Sequence, residues 1–432
     1  MGQTEPKMRA AQASAAQTNQ AAQADKTTQA SQAALVEPKK NNAIVVVVLV
    51  SILSCAAPIA TDLYLPALPD MPAYFATTEG IINLTLVGFF FFMAVGMIVF
   101  GPLSDKFGRK MPLLISTVLF VLSALAGAFA TNVWVLVALR VVEGIGGGGM
   151  VAISTALVKD CFEDKARERA LVVVQAMSVV GPMAAPVLGA IILSFTDWRG
   201  CFVAQAVLGL LALPFALGLV EPLRPENRSE EGVIASFGGI VRAARNVPLV
   251  ILLLICAINS LPFMCYLSSI SYVYLDIFGL TKFQYSAFFA VNASLSAVGA
   301  ALVVLVNGRL SPRQSLLTAF VCTFVAGVLL VLVGHVSAFA FFLSFAVYSL
   351  AGGYARPIST VIMLDQQEGD TGALSSLINF TFTVLNSCGM LIAVLPWPDH
   401  VWGVAITVLV GSAISLFGLL ALLRSRMCPR GL

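Results

Sequence analysis

Charged residues are scarce in this chain. Only 11% of its 432 residues are Asp, Glu, Lys or Arg, whereas soluble domains carry about 25%. The chain is also 59% hydrophobic, with a mean hydropathy of +0.92. This composition excludes an ordinary soluble enzyme and indicates a protein that crosses a membrane several times. Each remaining charge therefore marks a loop or needs its own explanation.

The histidines, the cysteines and the net charge exclude further classes of function. The chain has only two histidines, His335 and His400, and both fall in predicted loops. Its eight cysteines include no CxxC pair and no metal-ligand spacing, so we expect neither a metal nor a cofactor. The net charge of +3, without a long basic run, argues against a nucleic-acid partner.

Apolar stretches recur from residue 43 onward, each roughly as long as the 20-residue helix that crosses a hydrocarbon core of about 30 Å. At this length only helices satisfy their backbone hydrogen bonds within lipid. The sequence therefore predicts an all-α membrane protein with twelve transmembrane helices. Their predicted limits are 43–68, 81–101, 111–130, 133–157, 170–194, 199–219, 247–274, 283–306, 314–334, 336–362, 371–395 and 401–423.

The loops divide these spans into six plus six. Residues 1–40 are rich in Ala, Gln, Thr and Ser and are predicted to form a disordered cytoplasmic tail. A charge-rich cytoplasmic loop, 221–246, separates predicted bundles at 41–220 and 247–424, and residues 425–432 form the C-terminus. Of the 25 Lys and Arg residues, 21 fall on one predicted side, which places both termini in the cytoplasm.

The turn between the second and third spans, residues 101–110, reads GPLSDKFGRK. It resembles the signature loop of the major facilitator superfamily. The resemblance implies that Gly101 allows close helix approach, that Asp105 latches the cytoplasmic side against a helix of the other half, and that Arg109 braces this latch. The alternative is a positive-inside turn without a gating role. The implied gating residues are Gly101, Asp105, Gly108, Arg109 and Lys110.

A weaker echo of this turn, NGRLSPR at 307–313, lacks the Asp but favours a duplicated six-helix unit. Within the superfamily, residues 60–69, ATDLYLPALP, look like the Bcr/CflA group of drug efflux proteins. Residues 181–189, GPMAAPVLG, resemble a motif of proton-coupled drug antiporters, with Gly181, Pro182, Pro186 and Gly189 as its motif residues. Each proline removes a helix hydrogen bond, so we expect a bent, closely packed helix. Packing without any coupling role is the alternative.

Three ionisable residues fall inside spans of the first half. Asp62 lies in span one, and Arg140 and Glu143 lie in span four, in a stretch similar to the family's Arg-x-x-Gln-Gly but with Glu in place of Gln. Asp62 and Arg140 lie roughly 9 to 11 Å deep, so we expect them to pair across the cavity. Because intramembrane charges are costly, we predict that all three residues couple transport to protons. A purely structural ion pair between Asp62 and Arg140 is the alternative. Glu143 is interpreted as a second proton site, a counter-charge for cationic substrates, or a partner that neutralises Arg140.

In the second half, Arg356 lies inside span ten. It either attracts an anionic group of a substrate or extends to the inner surface toward Asp365, Glu368 and Asp370, and we favour the second interpretation. The glycines within 144–149 are expected to pack helices closely. The residues predicted to line a substrate cavity are Tyr64, Asn259, Tyr266, Asn292 and Asn379.

The resemblance implies a major facilitator fold, in which two six-helix bundles rock around a midplane cavity. The implied function is proton-coupled export of amphiphilic drugs, such as phenicols or bicyclomycin-like compounds, by a monomer in the bacterial inner membrane. Its expected partners are a small-molecule substrate, protons and the lipid bilayer. The alternative is a permease for one metabolite, a nucleoside, amino acid or siderophore, in either direction. A membrane enzyme is disfavoured because no nucleophile–base pair is recognisable.

Overall fold

A computed structural model describes residues 41–432 except 229–237, 239–240, 307–308, 367–370, 426–428 and 430–432. The predictions for the tail at 1–40, for much of the loop 221–246, for the start of the echo at 307–313 and for most of the C-terminus lie outside the described residues.

Long helices account for most of the described chain. Their bounds are α1 Ala43–Asp62, α2 Glu79–Phe107, α3 Lys110–Ala128, α4 Val133–Cys161, α5 Asp164–Leu193, α6 Trp198–Gly218, α7 Val247–Ser271, α8 Lys282–Val306, α9 Pro312–Val333, α10 Ala338–Leu364, α11 Thr371–Ile392 and α12 His400–Arg424. Within the described residues, eleven helical segments are long and apolar enough to cross a membrane, and in α5 the apolar part is Val180–Leu193. The all-α prediction is confirmed, and each helix matches one predicted span.

Polar side chains in the short loops fix where several helices begin. The Asn132 side chain accepts a hydrogen bond from the Trp134 amide at the start of α4, and the Asp399 side chain accepts one from Trp402 at the start of α12. Ser311 and Gln314 form a reciprocal capping box at α9. These bonds satisfy amides that have no partner within the helix itself.

Three apolar clusters show how the helices assemble. One contains residues from α1 to α6, among them Leu49, Phe120 and Leu157. A second contains residues from the C-terminal half, among them Leu252 and Phe382. A third includes residues of both halves, such as those at 63–71 and those at 265–274. The chain therefore folds as two six-helix bundles that share one apolar cluster, as the resemblance implied.

Side-chain contacts join the bundles at one end of the molecule, which we call the closed end. They pair Lys282 with Asp70 (2.7 Å), His400 with Glu79 (2.8 Å), Ser271 Oγ with the Leu65 carbonyl (2.6 Å) and Ser286 Oγ with the Pro186 carbonyl (2.9 Å). The turn between α2 and α3 lies at the opposite end, which we call the Arg109 end. The 29 residues of α2 separate the two ends by about 43 Å.

Candidate functional site

Arg140 lies at the centre of the first bundle and is fully buried. Its Nη1 donates to Glu143 Oε2 at 2.9 Å, one turn along α4. Its Nη2 donates to the carbonyl of Ala60 in α1 at 2.9 Å, and its Nε donates to the carbonyl of Thr85 in α2 at 3.4 Å. Arg140 therefore ties α1 and α2 to α4 while its charge is balanced by Glu143.

Aromatic rings enclose the rest of the guanidinium. Its Cζ lies 4.4 Å from the ring centroid of Phe89, 5.0 Å from that of Tyr64 and 5.6 Å from that of Phe202. Ring faces attract cations, and they do so most strongly where water is excluded. The Tyr64 hydroxyl is hydrogen-bonded to Thr85 Oγ1 at 2.9 Å. The expectation that Tyr64 lines a substrate cavity therefore does not hold in this conformation, because its ring packs against Arg140.

Asp62 has no cationic partner in the described part of the chain. Its Oδ1 accepts a hydrogen bond from the neighbouring Thr61 hydroxyl at 2.9 Å, and its side chain is buried, with 4% of the residue exposed. The expected pairing of Asp62 with Arg140 is wrong for this conformation. Arg140 bonds instead to Glu143 and to the carbonyl of Ala60, two residues before Asp62. The sequence spacing allowed Arg140 to pair with Asp62 or with Glu143. The rotation of each helix about its own axis places Glu143 and the Ala60 carbonyl beside Arg140 instead of Asp62.

A cavity of about 260 Å³ lies within the second bundle, between α7, α8, α9, α10 and α11. Its wall includes Asn259, Ser260, Gly352, Arg356, Phe382 and Asn386. Among the predicted cavity residues, Asn259 contributes to this wall. Tyr266 and Asn292 are buried and form a hydrogen bond of 2.8 Å with each other, and Asn379 is exposed on α11 away from this wall.

Arg356 is in contact with the open space of the cavity. Its Cζ lies 3.9 Å from the ring centroid of Phe382, and none of the described carboxylates forms an ion pair with it. The favoured expectation, an extension toward Asp365, Glu368 and Asp370, is not met at Asp365; the other two residues lie outside the described chain. The geometry therefore agrees with the alternative that Arg356 faces the cavity.

The gating turn is organised around Arg109. Its Nε donates to Asp160 Oδ2 at 2.7 Å, and its Nη1 donates to Asp105 Oδ1 at 2.5 Å and to Ser104 Oγ at 2.7 Å. Burial alone would lower the pKa of the Arg109 guanidinium, but the hydrogen bond to Asp160 and the charges of both carboxylates raise that pKa overall. Arg109 is thus a permanent cation that connects the turn to the end of α4.

Glu221 caps the start of α3, a role that the sequence did not indicate. Its carboxylate accepts hydrogen bonds from the amides of Arg109 (2.8 Å) and Lys110 (3.0 Å). A carboxylate is favourable there because the first amides of a helix lack partners and carry partial positive charge. Gly108 has φ of +93°, and a Cβ at this position would lie 2.7 Å from that carboxylate. The only sequence signal was an acidic residue at the start of the charge-rich loop.

The predicted latch between the bundles is not engaged in this conformation. Asp105 pairs with Arg109, and its side chain is 52% exposed. A Cβ added at Gly101 would meet no described atom within 4 Å, so the close helix approach expected there is absent. Both residues are accessible at the Arg109 end, where the latch was predicted to close.

The motif in α5 lies at close helix contacts. A Cβ at Gly181 would lie 3.3 Å from Pro58 Cβ, and one at Gly189 would overlap the carbonyl of Leu63, so both glycines allow α5 to approach α1. The helix continues without interruption through Pro182 and Pro186. The close packing expected at Gly181 and Gly189 is therefore present, and the expected bend at the prolines stays a prediction. The glycines of α4 behave similarly: Cβ atoms at Gly144 and Gly148 would overlap backbone carbonyls of α2, as expected.

Comparisons with known proteins agree with this architecture. Residues 50–390 match the model of the Major Facilitator Superfamily. The chain is 27% identical over 265 residues to the bicyclomycin resistance protein homolog of Haemophilus influenzae, a match that covers 59% of this chain and 64% of that protein. It is 23% identical over 342 residues to the multidrug resistance protein MdtL of Shigella flexneri serotype 5b, covering 77% of this chain and 83% of that protein.

The fold also resembles that of a solved transporter. The crystal structure of a D-xylose-proton symporter superimposes with a TM-score of 0.67 at 12% identity, covering 86% of this chain and 97% of that one. At this identity the likeness concerns the fold alone. The family match spans most of the chain and both bundles. The chain therefore belongs to the Major Facilitator Superfamily, and it is a membrane transporter of small molecules rather than an enzyme.

Proposed function

We propose that this transporter exports amphiphilic drug-like molecules across the bacterial inner membrane in exchange for protons, and that it acts as a monomer by alternating access. The names of its relatives, a bicyclomycin resistance protein homolog and a multidrug resistance protein, support the substrate class. Asp62, Arg140 and Glu143 are assigned to proton coupling, with Asp62 as the residue that carries the proton.

The burial of Asp62 without a cation is the observation that carries this proposal. An ionised carboxylate is very costly to bury alone, whereas a protonated one is not. Asp62 is 4% exposed, and among the described residues only Thr61 donates to it. We therefore assign the protonated form to Asp62 in this conformation. Opening of the closed end would break the bond between Ser271 and Leu65, three residues after Asp62, and would admit water that allows the carboxyl group to exchange its proton.

The distribution of charge supports the proposed orientation. The Arg109 end includes the loops that carry most of the basic residues, and basic loops remain in the cytoplasm. The closed end would then face the periplasm, and the disengaged latch at Asp105 would correspond to a conformation open to the cytoplasm. Gly101, Asp105, Gly108, Arg109 and Lys110 are accordingly proposed to form the gate that closes when the opposite end opens.

Proton flux in proteoliposomes tests the proposal. The native protein is reconstituted with a trapped pH-sensitive dye, and chloramphenicol or bicyclomycin is supplied on one side. We expect drug-dependent proton movement in the opposite direction. Asp62→Asn should lose proton movement and uphill drug accumulation while still exchanging drug down its gradient. Glu226→Gln, which removes an exposed carboxylate, should behave like the native protein.

Two results would contradict the proposal. If Asp62→Asn accumulates drug against a gradient as well as the native protein does, Asp62 does not carry the coupled proton. If a wide panel of amphiphilic drugs produces no flux while a single metabolite does, the permease interpretation replaces drug export.

A further inference from the structure

We infer that the cavity around Arg356 binds the anionic group of the transported molecule, so that the preferred substrates are amphiphilic organic anions. This inference rests on the proposed function and names the substrate class within it. The site consists of the Arg356 guanidinium, the amides of Asn259 and Asn386, and the ring of Phe382.

The charge of the cavity is positive and unbalanced. Among the described residues that line it, Arg356 is the one that carries a charge. Within the described chain the guanidinium donates no hydrogen bond, and its Cζ lies 3.9 Å from the ring centroid of Phe382. A guanidinium has five N–H donors in a fork that matches a carboxylate or phosphate. Charges inside membrane spans are usually paired, and one that faces a cavity marks a substrate or ion path. An anionic ligand supplies the missing partner.

Arg140 provides an internal comparison. It too lies in a transmembrane helix, but Glu143 and the carbonyls of Ala60 and Thr85 accept its hydrogen bonds. Arg140 has no exposed surface, whereas Arg356 is exposed to the cavity. The first arginine is satisfied by the protein and stabilises packing, whereas the second retains its donors for a ligand.

Two asparagines add hydrogen-bond donors beside Arg356. Asn259 Oδ1 lies 3.0 Å from the Thr323 hydroxyl, and Asn386 Oδ1 lies 2.9 Å from the Ser260 hydroxyl. A turn of 180° would place the nitrogen of either amide beside the hydroxyl instead. In either orientation at least one N–H of each amide has no hydrogen-bond acceptor among the described residues. The cavity can therefore surround an anion with donors from three side chains.

The dimensions of the cavity suit an aromatic or other compact apolar acid. Its volume is about 260 Å³, and Phe263, Met264 and Phe320 supply apolar surface beside the polar groups. Arg356 lies eight residues before the end of α10 at Leu364, so its Cα is about 12 Å from that end. At this depth an anion loses its hydrogen bonds to bulk water, and the side-chain donors of the cavity replace them. A cationic drug would instead be repelled.

Binding of a matched pair of probes tests the inference. We would compare 2-naphthoate with 2-naphthamide, which are similar in size but differ in charge, on purified native protein in nanodiscs with empty nanodiscs subtracted. The native protein should bind 2-naphthoate about tenfold or more tightly, the gain expected for a charge-assisted hydrogen bond. Arg356→Gln should remove this preference and leave 2-naphthamide binding unchanged. Arg356→Lys should keep part of it.

Two further variants locate the site. Arg313→Gln removes an exposed arginine at the start of α9 and should keep the native preference. A Cβ at Gly352 would meet nothing within 4 Å, so Gly352→Leu should fold while filling the cavity and weakening both probes. Equal affinities of the native protein for the two probes would overturn the inference, even if Arg356→Gln failed to fold. A preference that persists in a folded Arg356→Gln variant would overturn it as well.

The same measurements separate this inference from the proposed function. Proton-coupled drug flux together with equal probe affinities would remove the anion site and leave drug export standing. An Arg356-dependent anion preference without any drug-dependent proton flux would leave the anion site standing and would contradict proton-coupled drug export.

Discussion

The buried pair of Arg140 and Glu143 makes a prediction that distinguishes the interpretations of Glu143. Both side chains have no exposed surface, and their atoms Nη1 and Oε2 are 2.9 Å apart. Glu143→Ala would leave the guanidinium without a counter-charge, and breaking a buried pair in this way costs about 3–5 kcal/mol of unfolding free energy. Glu143→Gln keeps an acceptor for Nη1 but loses the charge, so we expect about half that loss or less.

Reversible unfolding in mixed micelles would measure these differences, with tryptophan fluorescence as the signal. The expected order of stability is native, then Glu143→Gln, then Glu143→Ala. Asp62→Asn is the control, because it changes a buried carboxylate that has no ion-pair partner and should leave stability nearly unchanged. A Glu143→Ala variant as stable as the native protein would refute the view that Glu143 neutralises Arg140.

Transport by Glu143→Gln provides a second test of the role of Glu143. If Glu143 only balances Arg140, Glu143→Gln should transport with the native ratio of protons to drug, because in the proposed mechanism Asp62 carries the exchanged proton. A lower ratio in Glu143→Gln, measured from paired drug and proton fluxes, would show that Glu143 is itself a proton site. The substitution also restores the glutamine of the family motif that Glu143 replaces.

The remaining predictions concern the turn between α2 and α3 and the packing of α4. Glu221→Gln should destabilise the protein by about 1–2 kcal/mol, because a neutral amide caps the start of α3 less well. The control, Glu226→Gln, changes an exposed residue and should alter stability by less than about 0.5 kcal/mol. Equal effects of the two substitutions would contradict the capping role. Gly148→Ala should cost about 1–3 kcal/mol, because the new Cβ overlaps the carbonyl of Met93. Gly101→Ala, which meets no neighbour, should not destabilise the protein, and the same unfolding assay compares the pair.

The helices were predictable because lipid restricts both their length and their composition. Span four was predicted at 133–157, and α4 extends over Val133–Cys161. Larger differences have local causes. Span one was predicted to reach residue 68, but α1 ends at Asp62 and a 3-10 helix follows at Leu65–Asp70. Prolines at 66 and 69 provide no amide donors, which favours the end of the α-helix at Asp62, whereas Pro182 and Pro186 are accommodated within α5.

The charged residues inside the spans were more predictable than their partners. The cost of charge in lipid singles out Asp62, Arg140, Glu143 and Arg356 without any structure. The choice of partner depends on how each helix is rotated about its own axis, and a sequence does not specify that rotation. Arg140 could reach Glu143 or Asp62 by depth alone, and the facing of α1 offers it the Ala60 carbonyl instead of the Asp62 carboxylate. The contact of Glu221 with α3 depends on the path of the loop after α6, which the hydrophobic periodicity of the sequence does not predict.

The two proposed sites lie in different bundles, so coupling between them requires a contact that changes with the conformation. In the proposed alternating-access mechanism, the bond between Ser271 Oγ and the Leu65 carbonyl, at 2.6 Å, would be such a contact because it joins the two bundles. Leu65 follows Asp62 by three residues, and Ser271 ends α7, the helix that also carries Asn259 of the cavity wall. A π-helical turn begins directly after Ser271, and such turns are frequent at functional sites. If an anion draws α7 toward Arg356, the end of α7 moves relative to Leu65, and the burial of Asp62 changes with it. The coupling would then depend on this one helix end, with no direct contact between proton and substrate.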